Sequence, residues 1–353
     1  MKPRLWAVVV GVTLLAPALT ARADEAVSAR LDSIATAFTK RGFAGAVLVT
    51  RGSDTLLDRG YGEADRDAHV PNAPELRYPI GSLTKQFTAA AVMRLVEQGR
   101  LSTSDPISRW LEEAGPAWRG VTVRDLLSHT AGIPDAQDDS DFVRAGRAGS
   151  PGHIAALRYA RRPLDFPPGT GFHYSNTGYQ LLGAIVEAAG GEPYETFVER
   201  QLLVPLGLSE TRFDTLPPNP ATDAVGYWNH AGTVKPAPVS DLRFAYAAGG
   251  LVSTTHDLVH WELALTGGQV LRDSARTEML TPVSGDYAYG IHHRTTPGRE
   301  AYYHSGKIGG FESLLGCYPA DSVAIAILAN QTAGWRIDAL YDALATTARK
   351  RGP

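Results

Sequence analysis

Ser82 and Lys85 stand three residues apart in the segment Ile80-Gly81-Ser82-Leu83-Thr84-Lys85. On a helix that spacing puts both side chains on one face, one turn apart. A serine hydroxyl is a poor nucleophile until a base takes its proton. A lysine held in a buried pocket, its pKa brought down towards roughly 7–8, can be that base. The start of a helix adds free backbone N–H groups and the positive end of the dipole, both of which favour negative charge. Alone, the pair is a common pattern that also fits a helix cap beside a solvated lysine. The preceding Gly81 and the apolar run Phe87 to Met93 favour the buried, chemical reading.

Two later stretches add complementary groups. Tyr174-Ser175-Asn176 follows the turn-rich Pro167-Pro168-Gly169-Thr170-Gly171-Phe172-His173 and precedes a helical pattern. Its phenol can relay a proton, since a neighbouring lysine cation favours phenolate. Its Asn176 amide offers both a donor and an acceptor to a substrate amide. In isolation the stretch also reads as a turn with a helix cap. His304-Ser305-Gly306-Lys307 ends a strand pattern. There Gly306 permits close approach of a substrate backbone, and an edge strand can pair with an extended substrate. Taken alone, His304 reads better as a strand residue with a satisfied hydrogen bond.

The elements that must position these groups can be read from the pattern. Phe43 to Thr50 and Thr55 to Tyr61 form a hairpin around the turn Arg51-Gly52-Ser53-Asp54. A helix is expected from about Leu83 to Gln98, stopped by Gly99 and, being apolar on most faces, buried centrally. The middle third is helical and loop-rich, with helices at Val121 to Ser128, Gly178 to Ala189, Glu192 to Leu203 and Asp257 to Leu265. Between the first two lies a polar stretch, Asp135 to Pro151, expected to be a surface loop overhanging the site. Strands return at Ala301 to Ser305, Ser313 to Tyr318 and Val323 to Leu328, and a helix follows at about Arg336 to Arg349. Strands at both ends with helices between predict an α+β fold: one antiparallel sheet built by both chain ends, flanked by helices, with a mainly helical insertion over about 100–290.

In this order, S-x-x-K, Y-x-N and a terminal strand with x-x-G resemble the serine β-lactamase and penicillin-binding-protein superfamily. Leu126-Leu127-Ser128-His129-Thr130-Ala131-Gly132-Ile133 is similar to the L-L-x-H-T-S-G-L stretch of its class C-like branch. Leu101 to Ile107, Pro205-Leu206-Gly207-Leu208 and Ala248-Gly249-Gly250-Leu251 resemble further segments of that branch. The resemblance spans about Phe43 to Asn330. It implies Ser82 as nucleophile, Lys85 as its partner base, Tyr174 as proton relay and Asn176 as contact to the substrate amide. His304, Ser305 and Gly306 would stand where many members have K-T-G. The backbone N–H groups of Ser82 and Lys307 would form the oxyanion hole, each such donor giving roughly 3 kcal/mol of transition-state stabilisation. His304 in place of Lys is a departure. A mostly neutral imidazole supplies no constant positive charge for a substrate carboxylate, which weakens the expectation of strong lactam turnover. Esterase-like and peptidase-like members of the branch often carry His here.

The chain of 353 residues carries a formal charge of −3. Lys2 and Arg4, the apolar Leu5 to Leu19 and the A-x-A sequence Ala21-Arg22-Ala23 read as a signal peptide cleaved after Ala23. Residues 24–353 would then be a single domain in the periplasm or outside the cell. The apolar stretch is shorter than the ~20 residues a spanning helix needs, so no stable membrane span is expected in the mature chain. Removing residues 1–23 takes away Lys2, Arg4 and Arg22 and no acid, moving the charge to −6. That balance carries no footprint for nucleic acid. The single Cys317 cannot form an internal disulfide and reads as a small buried group in a strand. His256 and His260 have zinc-pair spacing but lack the glutamate and third ligand of a zinc peptidase. The adjacent His292 and His293 read as an exposed pair.

The sequence therefore predicts an exported acyl-transfer hydrolase without metal or organic cofactor. Its partner is a small-molecule or peptide substrate: D-amino-acid peptides, β-lactams or small esters. The alternatives are an esterase with negligible lactam turnover and a domain that is acylated by β-lactam and stays acylated.

Overall fold

The computed structural model describes residues 16–136, 156–157, 162–213, 219–230, 232–239, 241–296, 299–332 and 335–350. Six strands form the main sheet: β1 (Gly45–Arg51), β2 (Asp54–Tyr61), β3 (His292–Thr296), β4 (Arg299–Ile308), β5 (Phe311–Tyr318) and β6 (Val323–Ala329). Their order is β3-β4-β5-β6-β1-β2, every neighbour antiparallel. The two chain ends thus meet in the middle, with Val47 opposite Ile327 and Leu48 opposite Ala326.

Strand alternation explains the layering. Side chains along a strand point to opposite faces with period two, and here both faces are apolar. Val47, Val49, Ile325 and Ile327 pack on one face under helix α1 (Ala16–Thr39) and the C-terminal helix Ile337–Ala348. Ala46, Leu48, Ala324, Ala326 and Leu328 join the larger core on the other face, with Cys317 buried among them. That second face receives helix α2 (Thr84–Glu97), whose residues from Thr84 to Met93 are all buried. Phe87 of α2 stacks on Trp261, ring centroids 3.9 Å apart.

The expected fold class and sheet are present, with differences in detail. The inserted region is less purely helical than expected. Leu251–Ser253 pairs with both Tyr78–Pro79 and Arg212–Phe213, and Tyr227–His230 pairs with Thr233–Pro236 and with Gln331–Thr332. These strands of two to four residues are too short to show a period of two. Helices at Ala16–Thr39 and Asp273–Leu280 were not anticipated. Leu31, Ala35 and Phe38 recur at helical spacing, but they are diluted among polar residues facing solvent. The expected loop over the site falls, from residue 137 on, outside the described residues.

Candidate active site

Ser82 sits in a single 3-10 turn, Gly81–Leu83, that runs straight into α2. Gly81 has φ +52°, and a Cβ there would lie 2.9 Å from the backbone nitrogen of Lys307. Gly306 faces the same turn from the strand: its Cβ would stand 2.1 Å from the Ile80 carbonyl oxygen and 3.0 Å from the Ser82 nitrogen. The close approach assigned from sequence to a substrate backbone is therefore made, at Gly306, by the Ser82 turn itself. Ser313 fixes the crossing by donating to the Ile80 carbonyl at 2.8 Å.

Lys85 lies one turn further on and is fully buried. Its Nζ donates to Ser82 Oγ at 3.1 Å, to Asn176 Oδ1 at 2.8 Å and to the Ala248 carbonyl at 2.7 Å. Three acceptors account for the three protons of an ammonium. Burial disfavours the charged form and brings the pKa down to about 7, while the nearby Asp135 carboxylate opposes the fall. The ammonium also sits 4.9 Å from the centre of the Tyr174 ring.

Tyr174 lines the same cleft as Ser82 and its ring lies against the Lys85 ammonium, so serine, lysine and tyrosine converge. Its protonation differs from the sequence expectation. Burial raises the phenol well above its ordinary range, more than the neighbouring Ser82 hydroxyl lowers it, and Asp135 raises it further. The resting group is a neutral phenol. The Asn176 amide, expected to meet the substrate, is held inside the site. Its Oδ1 faces Lys85, and its Nδ2 donates to Asp135 Oδ2 at 2.8 Å. Ser175 caps the following helix, α3 (Asn176–Gly190), by accepting from the Gly178 N–H.

His304 is buried and belongs to a chain of hydrogen bonds. The Ser175 N–H donates to His129 Nδ1 at 3.1 Å, which leaves the His129 proton on Nε2, 3.1 Å from the Tyr287 hydroxyl. That hydroxyl lies 3.3 Å from His304 Nε2, and His304 Nδ1 donates to the Ser305 carbonyl at 2.6 Å. Burial holds both imidazoles neutral, with His304 lowered to about 3 and His129 well below its ordinary value. The chain ties the Tyr174 loop to β4.

Ser305 and Lys307 alternate outwards from β4 into an open cleft of about 460 Å³. Ser82, Tyr174, His304 and Gly306 also line it, with Glu312 and Asp338 on its wall. The register between β3 and β4 ends at Tyr303, opposite His292, so no strand among the described residues pairs with 304–307 on that side. Lys307 reaches Glu312 at 3.2 Å. His292 is partly buried and lines the cleft, and His293 is also partly buried. This corrects the reading of an exposed pair. His256 and His260 are exposed on the helix Thr255–Thr266, where His256 meets Asp58 at 2.8 Å. Four neighbours of the site had no assigned role: Asp135, Ala248, His129 and Tyr287. The stretches containing His129 and Ala248 were noticed as wholes, but nothing in them marks which atom turns inwards.

A serine whose hydroxyl is held by a fully buried lysine, on this sheet with this central helix, defines a serine hydrolase of the β-lactamase and transpeptidase fold. The chain belongs to the Beta-lactamase family, which it matches over residues 24–347. PbpX of Bacillus subtilis (strain 168) is 28% identical over 290 residues, 81% of this chain and 70% of that one. A penicillin binding protein from Bacillus halodurans superposes with a TM-score of 0.76 at 29% identity, over 90% of this chain and 98% of that one. D-amino acid amidase from Ochrobactrum anthropi SV3 superposes with a TM-score of 0.78 at 25% identity, over 92% and 100% of the two chains.

Proposed function

We propose that Ser82 carries a covalent acyl-enzyme and that the enzyme cleaves amides or esters with a compact acyl group. The observation that carries this reading is the contact of 3.1 Å between Lys85 Nζ and Ser82 Oγ, made by a lysine buried enough to titrate near 7. Neutral Lys85 takes the Ser82 proton as Oγ bonds to the substrate carbonyl carbon. The carbonyl oxygen gathers negative charge between the N–H groups of Ser82 and Lys307. As the bond to the leaving group breaks, the neutral Tyr174 phenol gives that group its proton and regains one from the Lys85 ammonium. Water then attacks the acyl carbon while giving a proton to Lys85; the bond to Ser82 Oγ breaks, Lys85 returns that proton to Oγ, and the acid leaves.

The substrates of this reading are D-amino-acid peptides or amides, β-lactams and small esters, with the D-amino acid amidase among the neighbours supporting the first. A second reading, an esterase with negligible lactam turnover, is favoured by the neutral, buried His304, which offers no fixed charge to a carboxylate. The reading also includes export after cleavage at Ala23. The A-x-A sequence supports it, as does a family match that begins at residue 24. Among the described residues no helix is long and apolar enough to cross a membrane.

A fluorophosphonate probe tests the mechanism. One adduct per chain should map to the peptide containing Ser82, and Ser82→Ala should abolish it and lower turnover on the order of 10⁴-fold. Labelling that persists in Ser82→Ala would overturn the mechanism. Nitrophenyl esters, a chromogenic cephalosporin and D-Ala-D-Ala peptides assayed side by side decide between the substrate classes. Intact mass of the exported protein should show a chain beginning at Asp24.

A further inference from the structure

Asp135 organises the groups that stand behind Ser82. Its Oδ2 accepts from the Asn176 side-chain Nδ2 at 2.8 Å and from the Asn176 backbone N–H at 3.3 Å, and its Oδ1 accepts from Thr177 Oγ1 at 3.4 Å. The Ala136 N–H donates to the same Thr177 hydroxyl at 2.7 Å. A carboxylate only accepts, so its bond to Nδ2 dictates which way the Asn176 amide points. Oδ1 must then face Lys85, where it accepts at 2.8 Å. With a neutral partner in place of Asp135 the amide could turn round and present an N–H to the ammonium.

We propose that Asp135 is a positioning residue that fixes the Asn176 amide and sets the charge balance at Lys85. The proposal rests on the reading of Lys85 as the base for Ser82. The groups facing Lys85 are Ser82 in the turn that precedes its helix, Tyr174 and Tyr179, Asn176, the Ala248 carbonyl and, further off, His129 and His304. Both histidines are held neutral. Asp135 is the acid whose field reaches the ammonium. It works against burial and keeps the lysine a useful base near neutral pH rather than a weak one. It also raises the Tyr174 phenol, so one carboxylate biases both protons that the reaction moves.

The test is the pH dependence of acylation, followed as the rate of fluorophosphonate labelling and as kcat/KM on a nitrophenyl ester. Asp135→Asn removes the charge and lets the amide turn. The acidic limb should move down by about one pH unit, and the plateau should fall about tenfold as the base is weakened and misoriented. Asp135→Glu keeps the charge and should hold the limb within about 0.3 unit of wild type. Asp135→Ser, smaller and also uncharged, carries the same test if the asparagine variant does not fold. An acidic limb unmoved in a folded, uncharged variant, with Ser82 still labelled, overturns the role of Asp135 alone. Failure of wild-type Ser82 to label at all defeats the acyl-enzyme reading and this proposal with it.

Discussion

A Cβ on Gly306 would stand 2.1 Å from the carbonyl oxygen of Ile80, so strand β4 and the turn carrying Ser82 lie backbone against backbone. The two amides proposed to hold the oxyanion lie next to this crossing, Lys307 one residue from Gly306 and Ser82 two residues from Ile80. Any side chain at 306 must push the strand off the turn and separate them. Gly306→Ala is therefore expected to lower kcat on an ester substrate on the order of 10²-fold, the cost of an ångström of misplacement at reacting groups. Steady-state kinetics on the purified variant checks this, and a kcat within twofold of wild type would contradict the geometry.

The buried Lys85 predicts an acidic limb in kcat/KM. Its pKa is lowered from the ordinary lysine value to about 7, and only the neutral amine can take the Ser82 proton. Activity should fall as pH drops below about 7 and hold above it. Lys85→Met should remove that limb and lower acylation on the order of 10³-fold, measured by single-turnover labelling. Retention of a limb near pH 7 in Lys85→Met would assign the titration to another group.

At position 304 a neutral imidazole occupies the first place of the strand motif. His304→Lys would restore a fixed positive charge beside Ser305, and the ratio of lactam to ester hydrolysis should rise. The same charge repels the Lys85 ammonium, so the acidic limb should shift to lower pH. An unchanged ratio in the folded variant would show that charge at position 304 does not set the preference between lactam and ester.

His129 and His304 also make stability depend on pH. Both have folded pKa values below the ordinary 6.5, so the unfolded chain takes up protons first as pH falls. Their contribution is full above about pH 6.5 and is lost progressively as pH falls, for His304 towards about pH 3. Thermal melts should show Tm declining through this window. His304→Gln should flatten the decline relative to wild type even if it lowers Tm at neutral pH, and an equally steep decline would rule out His304 as a source.

Glu262 acts in the opposite sense. It is fully buried beside Gln86 and Cys317, and desolvation raises its pKa from 4.5 to about 8. A carboxyl that prefers its proton when folded costs nothing below about pH 4.5 and progressively more as pH rises through 8. Glu262→Gln should therefore raise stability at pH 8 by on the order of 2 kcal/mol, with little gain at pH 4.5. Denaturant titrations at the two pH values check this; equal effects at both would show that Glu262 is not the titrating group.

The sequence by itself determined the fold class and the linear order of the site. Val47, Leu48, Val49 and Ile325, Ala326, Ile327 are local runs whose β-branched and apolar character marks strands wherever they pack. Ser82 and Lys85 need only the helical repeat to be neighbours, because their relation is local. The tertiary structure alone decided the rest. Asp135 meets Asn176 across 41 residues and Lys85 meets the Ala248 carbonyl across 163, and no local spacing encodes contacts made by chain crossings. The state of each proton was equally hidden. Tyr174 was expected to lean towards phenolate because of its lysine neighbour, but the surrounding fold removes water from both groups, and desolvation outweighs that attraction. Burial is a property of the packed whole, so the charges on which the chemistry depends were fixed only when helix, strand and loop closed around Lys85.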